Sequence, residues 1–312
     1  MKEIIIYAPA TVANVVCGFD VLGFALNEPK DELLLRIIPE PEVRIINKTE
    51  YDLPTDPLQN VSGVALLELM KALKEPIGFE IEFIHKIKPG SGIGSSAASA
   101  AGVVVGTNQL LNSPFTKEEL VRFAMKGEKL ASGAEHADNI APCIYGGITL
   151  VRSNHPLDII SLNVPDLFVS IVHPEIELKT SDARGILKQK ILMKDAIQQW
   201  ANIAALVAGF MKNDHALISR SLEDVIVEPV RSMLIPEFNK IKKLSIDAGA
   251  LGGGISGSGP SMFMFSSNEA IAKKVESVFA EVYTQAGINF KTYLTTINTA
   301  GVKCLLPENI HL

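Results

Sequence analysis

The residues best placed to do chemistry lie in one short run, PGSGIGSSAASAAG, at positions 89–102. Its glycines at positions 90, 92 and 94 can adopt backbone conformations that a Cβ forbids, so consecutive N–H groups can point toward one anion. Ser95 and Ser96 then open an Ala-rich segment with the composition of a helix. Because the N–H groups and the dipole of a helix N-terminus favour negative charge, this run predicts a phosphate-binding loop.

The spacing of this run excludes two well-known phosphate loops. A Walker loop ends in Gly-Lys-Ser/Thr, whereas Gly94 is followed by Ser95. The dinucleotide pattern G-x-G-x-x-G also fails, because the third glycine follows the second after one residue rather than two. A tight turn before a buried helix of small residues is the plainer alternative. Such a turn needs only one or two glycines and would leave the paired serines without a role.

A second polar cluster lies in KGEKLASGAEHADNIAP, at positions 126–142. Four polar side chains lie close together in it: Glu128, His136, Asp138 and Asn139. A carboxylate here could complete a Mg²⁺ shell with the Ser96 hydroxyl, because Mg²⁺ combines one or two protein oxygens with substrate phosphates. A solvated helix end is the alternative interpretation. Zinc is disfavoured, because no second His or Cys lies at ligand spacing from His136.

Composition narrows the class of protein. The chain has 312 residues, which suggests about two domains, and 47% of them are hydrophobic. A net charge of −6 and an aromatic content of 6% disfavour nucleic acid as a partner. The three cysteines are widely spaced, and MKEIIIYAPA leads into a strand without a signal peptide. No apolar run is long enough to cross a bilayer. We therefore expect a cytoplasmic protein with no membrane partner.

The elements that must position the polar residues follow from hydrophobic periodicity. Alternation predicts a strand at 79–83 directly before the glycine loop, and composition predicts a helix at 95–111 directly after it. Thr116 and Glu119 form a capping box that predicts the start of another helix. The remaining elements predicted in the first half are a strand at 3–8, a hairpin of strands 31–38 and 42–48, helices at 63–73 and 117–131, and a strand that follows the glycines at 146–147 and ends at about Arg152.

The polar, turn-rich segment SNHPLD at 153–158 predicts the domain boundary. It divides the chain into a first domain at 1–155, which contains the glycine loop, and a second domain at 156–312. Few strands and several helices in the second half predict a two-layer α+β unit rather than a doubly wound sheet. The elements predicted there are strands at 158–164, 167–173 and 289–298, helices at 181–188, 191–212, 215–222, 236–248 and 269–286, and a second glycine-rich run at 249–266.

Three motifs in order carry a resemblance to a known family. They are APATVANVVCGFDVLGFAL near the N-terminus, the glycine loop, and SGSGPSMF late in the chain. Together they resemble the superfamily of galactokinase, homoserine kinase, mevalonate kinase and phosphomevalonate kinase (GHMP). The first motif, AEHADNIAP and HPEIELKTSDAR are most similar to the homoserine kinase branch. The resemblance implies an α+β, two-domain GHMP kinase fold, with an N-terminal domain like domain 2 of ribosomal protein S5 and a ferredoxin-like C-terminal domain.

The resemblance also implies which residues bind ATP and Mg²⁺. The implied nucleotide-binding residues are Asn60, Pro89, Gly90, Ser91, Gly92, Ile93, Gly94, Ser95, Ser96 and Ser258. Asn60 starts the segment NVSGVALL and would lie near the adenosine. Ser96 and Glu128 would hold Mg²⁺. The implied catalytic residues are Asn14, Ser96, Glu128 and Asn139.

For the substrate, the resemblance implies a site for an amino acid that carries a hydroxyl group. Arg184 and Arg231 would bind its carboxylate, a task that suits the planar guanidinium fork. Asp20 would pair with its ammonium group. The residues implied around its hydroxyl end are Asn14, His136 and Asn139.

Two departures from the superfamily pattern stand out. Mevalonate kinases place an aspartate base eleven positions after the Mg²⁺ glutamate, and that position here holds Asn139. Homoserine kinases share this difference, so the proton acceptor stays unidentified, and Asp138 is adjacent. The second departure is VVC at 15–17, where many homoserine kinases have a turn containing Gly or Pro. The conformation of this loop is therefore open.

The activity implied is ATP-dependent phosphorylation of the hydroxyl of L-homoserine, which gives O-phospho-L-homoserine for threonine biosynthesis. Direct in-line transfer needs positioning and charge neutralisation more than a strong base. Two alternatives stay open: another small-alcohol GHMP kinase of the mevalonate type, and a non-catalytic nucleotide-binding regulator. The partners expected are the small-molecule substrate, ATP, Mg²⁺ and, as a further option, a second copy in a homodimer.

Overall fold

The structure is a computed structural model that describes residues 2–176, 178 and 180–306. Within these residues the strands are β1 (Glu3–Ala13), β2 (Leu22–Ile38), β3 (Val43–Asn47), β4 (Gly78–His85), β5 (Ile148–Asn154), β6 (Leu157–Leu162), β7 (Phe168–Pro174), β8 (Gly252–Ile255), β9 (Met262–Ser266), β10 (Phe290–Thr296) and β11 (Lys303–Leu305). The helices are α1 (Val61–Lys71), α2 (Ser95–Leu110), α3 (Lys117–Ser132), α4 (Ile140–Tyr145), α5 (Thr180–Gly185), α6 (Met193–Lys212), α7 (His215–Ser221), α8 (Glu228–Arg231), α9 (Phe238–Asp247) and α10 (Glu269–Ala286).

The first sheet has seven strands and carries the glycine loop. Its main path is β11-β1-β2-β4-β3, while β5 pairs with β2 and β6 pairs with β5. Helix α2 packs against this sheet through a surface of small residues, so it can approach closely. A Cβ on Gly106, for example, would lie 2.2 Å from a methyl carbon of Ile6. The close packing fixes the start of α2, and with it the phosphate loop, above the end of β4.

The predicted hairpin of strands 31–38 and 42–48 is wrong. Both strands exist, but β4 lies between them: Phe79 pairs with Ile37 of β2 on one side and with Val43 of β3 on the other. Strands β3 and β4 are parallel and are connected by α1, because parallel neighbours need a crossover connection. Periodicity identified the strands, whereas their order in the sheet depends on where α1 packs.

The second sheet is antiparallel and has the order β10-β7-β9-β8. Helices α9 and α10 cover it with a small core of their own that includes Phe279 and Tyr283. This is the two-layer α+β unit expected. The division at residues 155 and 156 stays a proposal; it falls in the turn of the β5–β6 hairpin, and β6 continues the first sheet.

Most predicted helices and strands occur close to their predicted positions. The capping box of Thr116 and Glu119 is present, α2 begins at Ser95, and α10 spans residues 269–286 as expected. The short α4, α8 and β11 were not predicted, nor was the first part of β2, whose residues 27–30 have the composition of a loop. Short elements hold too few residues to show a period.

Four phenylalanines join the two sheets into one core. Phe24 on β2 lies 5.6 Å from Phe263 and 5.2 Å from Phe265 of β9, measured between ring centroids. Phe210 of α6 lies 6.3 Å from Phe265. Phe24 is fully buried. Such edge and tilted contacts add to the free energy gained from burying the rings, so the two sheets stabilise each other.

We expect Phe24→Ala to lower the free energy of unfolding by about 3–5 kcal/mol, because it removes a large side chain from this shared core. Urea denaturation followed by circular dichroism measures the change. Trp200→Ala is the matched control, since Trp200 is 55% exposed, and its effect should stay within about 0.5 kcal/mol. A loss below about 1 kcal/mol for Phe24→Ala would show that the sheets do not share one core.

Candidate active site

A cavity of about 900 Å³ lies where the two glycine-rich loops meet. The sequence-predicted residues that line it are Asn14, Asp20, Asn60, Pro89, Gly90, Gly92, Gly94, Ser95, Ser96, Glu128, His136, Asn139, Arg184, Arg231 and Ser258. Two predicted residues, Ser91 and Ile93, do not line it. The structure thus brings these residues, which are spread between positions 14 and 258, into one site.

The glycine loop requires glycine at two positions in particular. Gly92 and Gly94 have φ values of +81° and +69°, in the left-handed region that other residues rarely adopt. A Cβ on Gly94 would lie 1.9 Å from the hydroxyl oxygen of Thr11. Gly94 is also the N-cap of α2, so no N-cap side chain occupies the first N–H groups of that helix. Those N–H groups form a site for an anion.

The second glycine loop holds the first in place through its serines. The hydroxyl of Ser256 donates to the carbonyl of Gly92 at 2.8 Å, and that of Ser261 donates to the carbonyl of Ser91 at 2.6 Å. On the other side, the N–H of Thr11 donates to the carbonyl of Ile93 at 3.1 Å. Ser91 and Ile93 therefore support the loop through their backbones, and their contact with ATP stays a prediction.

A buried ion pair lies beneath the start of α2. The ammonium group of Lys86 donates to Asp31 at 2.9 Å and to the carbonyl and hydroxyl oxygens of Ser95 at 2.7 and 2.6 Å. Ser99 also donates to Asp31, at 2.8 Å. Burial lowers the pKa of Lys86, and the charge of Asp31 opposes this shift. The pair ties β2, β4 and α2 together and places a cation beside the loop.

Sequence analysis did not identify Lys86 or Asp31. Lys86 carried a weak signal, since it follows the alternating strand and lies three residues before the loop, whereas Asp31 lies in the charged run EPKDE at the start of its predicted strand and carried none. Alternation alone cannot show that two such charges meet, since 55 positions separate them.

Ser96 and Glu128 lie together, as predicted. The hydroxyl of Ser96 donates to a carboxylate oxygen of Glu128 at 2.7 Å. Burial raises the pKa of Glu128 to about 7. Among the described residues, no group of three or more His, Cys, Asp and Glu side chains could hold a metal ion. A hydroxyl and a single carboxylate nevertheless fit Mg²⁺, which takes its other oxygens from phosphates and water.

The first motif forms a strained loop on the wall of the cavity. Asn14, Val15 and Val16 all have positive φ, as does Asp20. This conformation is a true outlier for β-branched valines. The side chain of Asn14 holds the loop: its oxygen accepts from the N–H of Asp20 at 3.0 Å, and its amide donates to the carbonyl of Gly257 at 2.7 Å. The unusual VVC sequence therefore adopts a turn without glycine or proline.

Asp20 and the two arginines meet beside this loop. The guanidinium of Arg184 donates to both carboxylate oxygens of Asp20, at 2.8 to 3.2 Å. Arg231 is 3% exposed and donates to the carbonyls of Ala183 and Gly257, at 2.9 and 3.1 Å. The ring of Phe19 lies 5.4 Å from the guanidinium of Arg184 and 4.9 Å from that of Arg231. Asp20 and Arg184, predicted to bind opposite substrate groups, thus pair with each other.

His136, Asp138 and Asn139 also line the cavity. Burial lowers the pKa of His136, and neither of its ring nitrogens has a hydrogen-bond partner among the described residues. Asn139 accepts from the hydroxyl of Thr11 at 2.8 Å. Burial raises the pKa of Asp138 to about 7, and the nearby charges of Asp20 and Glu128 add to the shift. A neutral imidazole, an amide and a weak acid therefore face the cavity.

Comparison with known proteins places the chain in a family. The family models of the GHMP kinases N terminal domain and the GHMP kinases C terminal match residues 60–147 and 203–285. A homoserine kinase of Chloroherpeton thalassium is 48% identical, over 90% of this chain and 94% of its own length. The chain belongs to the homoserine kinase branch of the GHMP kinases. A homoserine kinase of Chlorobaculum tepidum is 42% identical, over 98% of this chain and 99% of its own length.

Solved structures agree with this assignment. The crystal structure of homoserine kinase from Cytophaga hutchinsonii matches with a TM-score of 0.94 and 47% identity, over 98% of each chain. The L. major mevalonate kinase in complex with R-mevalonate matches with a TM-score of 0.70 and 16% identity, over 93% of this chain and 95% of that one, and shares the fold alone. The predicted two-domain GHMP kinase fold is confirmed. No helix within the described ranges is long and apolar enough to span a bilayer.

The raised pKa of Glu128 predicts a dependence of stability on pH. Below the ordinary carboxyl pKa of 4.5 the group is neutral in both states, and its contribution to stability is fully present. As pH rises from 4.5 through about 7, the unfolded chain ionises first, so stability is lost. We expect Glu128→Gln to unfold with a higher free energy than the parent at pH 8, by about 1–3 kcal/mol, and with nearly the same free energy at pH 5.

Urea denaturation at several pH values measures this difference. Glu281→Gln is the matched control, since Glu281 is exposed on α10, and it should give no such gain at pH 8. Glu128→Gln also removes a charge that raises the pKa of Asp138, so the difference includes the relief of that coupling, which has the same sign. Equal stabilities of parent and Glu128→Gln at pH 8 would contradict the burial of a charged Glu128.

Proposed function

We propose that this chain is a homoserine kinase, which transfers the γ-phosphoryl group of ATP to the hydroxyl of L-homoserine and gives O-phospho-L-homoserine for threonine biosynthesis. One observation carries the proposal: a phosphate loop and a cluster of Arg184, Arg231 and Asp20 line one cavity. Such a cavity suits a nucleotide beside an amino acid. The names of relatives 42–48% identical to this chain support the same activity.

The two alternative functions, a mevalonate-type kinase and a non-catalytic regulator, are not favoured. Mevalonate carries a carboxylate but no ammonium group, so it would leave Asp20 without a cationic substrate partner. Asn139 also stands where mevalonate kinases place an aspartate. A non-catalytic regulator is disfavoured because Ser95, Ser96 and Glu128 are all present, and the Ser96–Glu128 contact is formed.

For the nucleotide, we assign the phosphates to residues 90–96 and the N-terminus of α2. The resemblance implies that Asn60 lies near the adenosine, but its side chain already has hydrogen-bond partners within the protein. Its oxygen accepts from the N–H groups of Ser62 and Gly63, and its amide donates to the carbonyl of Pro54. The side chain is thus engaged as the N-cap of α1, so we assign it to shaping the adenosine end of the cavity rather than to reading the base.

Ser96 and Glu128 would hold Mg²⁺, which when bound neutralises charge on the phosphates. The chain itself supplies a further cation there, since the ammonium group of Lys86 lies 2.7 Å from the carbonyl of Ser95. The buried carboxylate of Glu128 is costly to ionise on its own, and a nearby divalent cation would favour its charged form. The two residues therefore fit the ion chemically.

For homoserine, Arg231 and Arg184 would bind the carboxylate and Asp20 the ammonium group. Asn14, His136 and Asn139 would surround the hydroxyl. We propose that transfer proceeds without a strong base, because an amide cannot take the proton and the transition state of phosphoryl transfer is loose. The proton would leave late, to a phosphate oxygen or to water. These residues then act by positioning the hydroxyl in line.

Two further expectations accompany this function. A biosynthetic enzyme of this kind is expected in the cytoplasm, as its sequence suggests. A homodimer stays a prediction.

The decisive experiment is an ATP-consumption assay across homoserine, mevalonate, galactose, shikimate and threonine. We expect turnover with homoserine alone, with O-phospho-L-homoserine identified by mass spectrometry, and no turnover after Mg²⁺ is removed by EDTA. Faster turnover of mevalonate than of homoserine would favour the alternative kinase. No turnover with any alcohol, together with intact ATP binding, would favour the regulator.

We expect Arg231→Leu to raise the KM for homoserine steeply and to leave the KM for ATP nearly unchanged. Loss of one partner of a buried charge-assisted contact costs about 2–5 kcal/mol, which is roughly a 30-fold or larger change in KM. Steady-state kinetics measures both constants. Arg152→Leu is the control, since the side chain of Arg152 is 66% exposed on β5.

Because Arg231 also holds two carbonyls, Arg231→Lys serves as a second variant that keeps the charge but loses the fork. It should fall between the parent and Arg231→Leu in its KM for homoserine. A homoserine KM within about twofold of the parent for Arg231→Leu, under 0.5 kcal/mol, would mean that the carboxylate site is elsewhere.

A further inference from the structure

The Asp20–Arg184 ion pair occupies the groups that the substrate must use. Both carboxylate oxygens of Asp20 accept from Arg184, and the two side chains are 25% and 36% exposed on the cavity wall. A bidentate pair of this kind satisfies both partners. Any ligand that binds either group must therefore break an interaction that already exists.

Only one of the two arginines at this site is paired with a carboxylate. Arg184 pairs with Asp20, whereas Arg231 donates to the carbonyls of Ala183 and Gly257 and forms no ion pair with a carboxylate of the described residues. The charges of Asp224 and Asp138 act on Arg231 from nearby without a direct contact. A carboxylate on a ligand would therefore be the first to pair with Arg231.

We propose that the Asp20–Arg184 pair is an internal occupant of the substrate site, which a zwitterionic alcohol displaces and a singly charged alcohol cannot. A ligand with both charges exchanges one internal pair for new pairs to Asp20 and to the two arginines. Its carboxylate also pairs with Arg231, whose hydrogen bonds otherwise go to carbonyls. The inference rests on the proposed function and deepens it, because it states how the site selects an amino acid among small alcohols.

A singly charged alcohol cannot make this exchange at the same cost. A carboxylate alone would take Arg184 and leave Asp20 without a partner, while an ammonium group alone would leave Arg184 without one. A partly buried charge that loses its partner is costly. Selection therefore comes from the penalty on the wrong ligand as well as from contacts with the right one.

Phe19 holds the two guanidinium groups in place during the exchange. Its ring lies within 5.4 Å of the guanidinium of Arg184 and 4.9 Å of that of Arg231. A ring face attracts both cations and does not compete for their N–H groups. The two guanidinium groups keep their places while the anion that pairs with Arg184 changes.

The test uses homoserine and two analogues that each lack one charge: 4-hydroxybutanoate has no ammonium group, and 3-aminopropan-1-ol has no carboxylate. Calorimetry, with competition against homoserine for weak ligands, gives each Kd. In the parent protein, we expect both analogues to bind at least about 100-fold more weakly than homoserine.

In Asp20→Asn, Arg184 is free, so 4-hydroxybutanoate should bind about tenfold more tightly than it does to the parent, while homoserine binds more weakly. In Arg184→Gln, the same reasoning predicts tighter binding of 3-aminopropan-1-ol. A misfolded variant cannot gain affinity, so these gains separate the exchange from a structural role. If Asp20→Asn leaves the affinity for 4-hydroxybutanoate unchanged or lowers it, the exchange is wrong.

Glu175→Gln is the matched control, because Glu175 lines the same cavity and forms its ion pair with Lys88 rather than with an arginine. It removes one negative charge without freeing an arginine. An equal gain for 4-hydroxybutanoate in Glu175→Gln would show a general charge effect and overturn the exchange. A parent that does not phosphorylate homoserine, but whose variants show the expected gains, would overturn the proposed function and leave the exchange standing.

Discussion

The burial of one ion pair is the constraint on which the site depends. Lys86 and Asp31 lie almost wholly inside the protein, with side-chain exposures of 5% and 0%. Two buried charges are tolerated only when they are paired and hydrogen-bonded. That requirement fixes the separation of β2, β4 and the first turn of α2. The left-handed glycines, the N-terminus of α2 and the Ser96–Glu128 contact all take their places from this arrangement.

Local features of the site were predictable from sequence because they depend on neighbouring residues. Gly94 must adopt a left-handed conformation, and Ser95 begins a helix of small residues; both follow from a stretch of six residues. The capping box at Thr116 is equally local. The three family motifs, in their order along the chain, then indicated the two-domain fold. These features account for the phosphate end of the cavity and for most helices and strands.

Other features depend on contacts between distant parts of the chain. The pairing of Asp20 with Arg184 joins residues 164 positions apart, and nothing in either local sequence indicates that one is the other's partner. The insertion of β4 between β2 and β3 depends on how α1 packs. The strained conformation of Val15 and Val16 is held by Asn14 and by the second glycine loop, so it is a property of the assembled site.

The route of the chain through the first sheet has a consequence for synthesis on the ribosome. Strand β11, near the end of the described chain, pairs with β1, near its beginning. Until residues 303–305 have been synthesised, one edge of β1 is unpaired. Until β9 has been synthesised, Phe24 lacks the phenylalanines that pack against it. The nascent N-terminal half therefore exposes an unpaired strand and apolar surface during most of translation, a state prone to association with other chains. Rapid completion of the last residues, or protection by a chaperone, would limit that exposure.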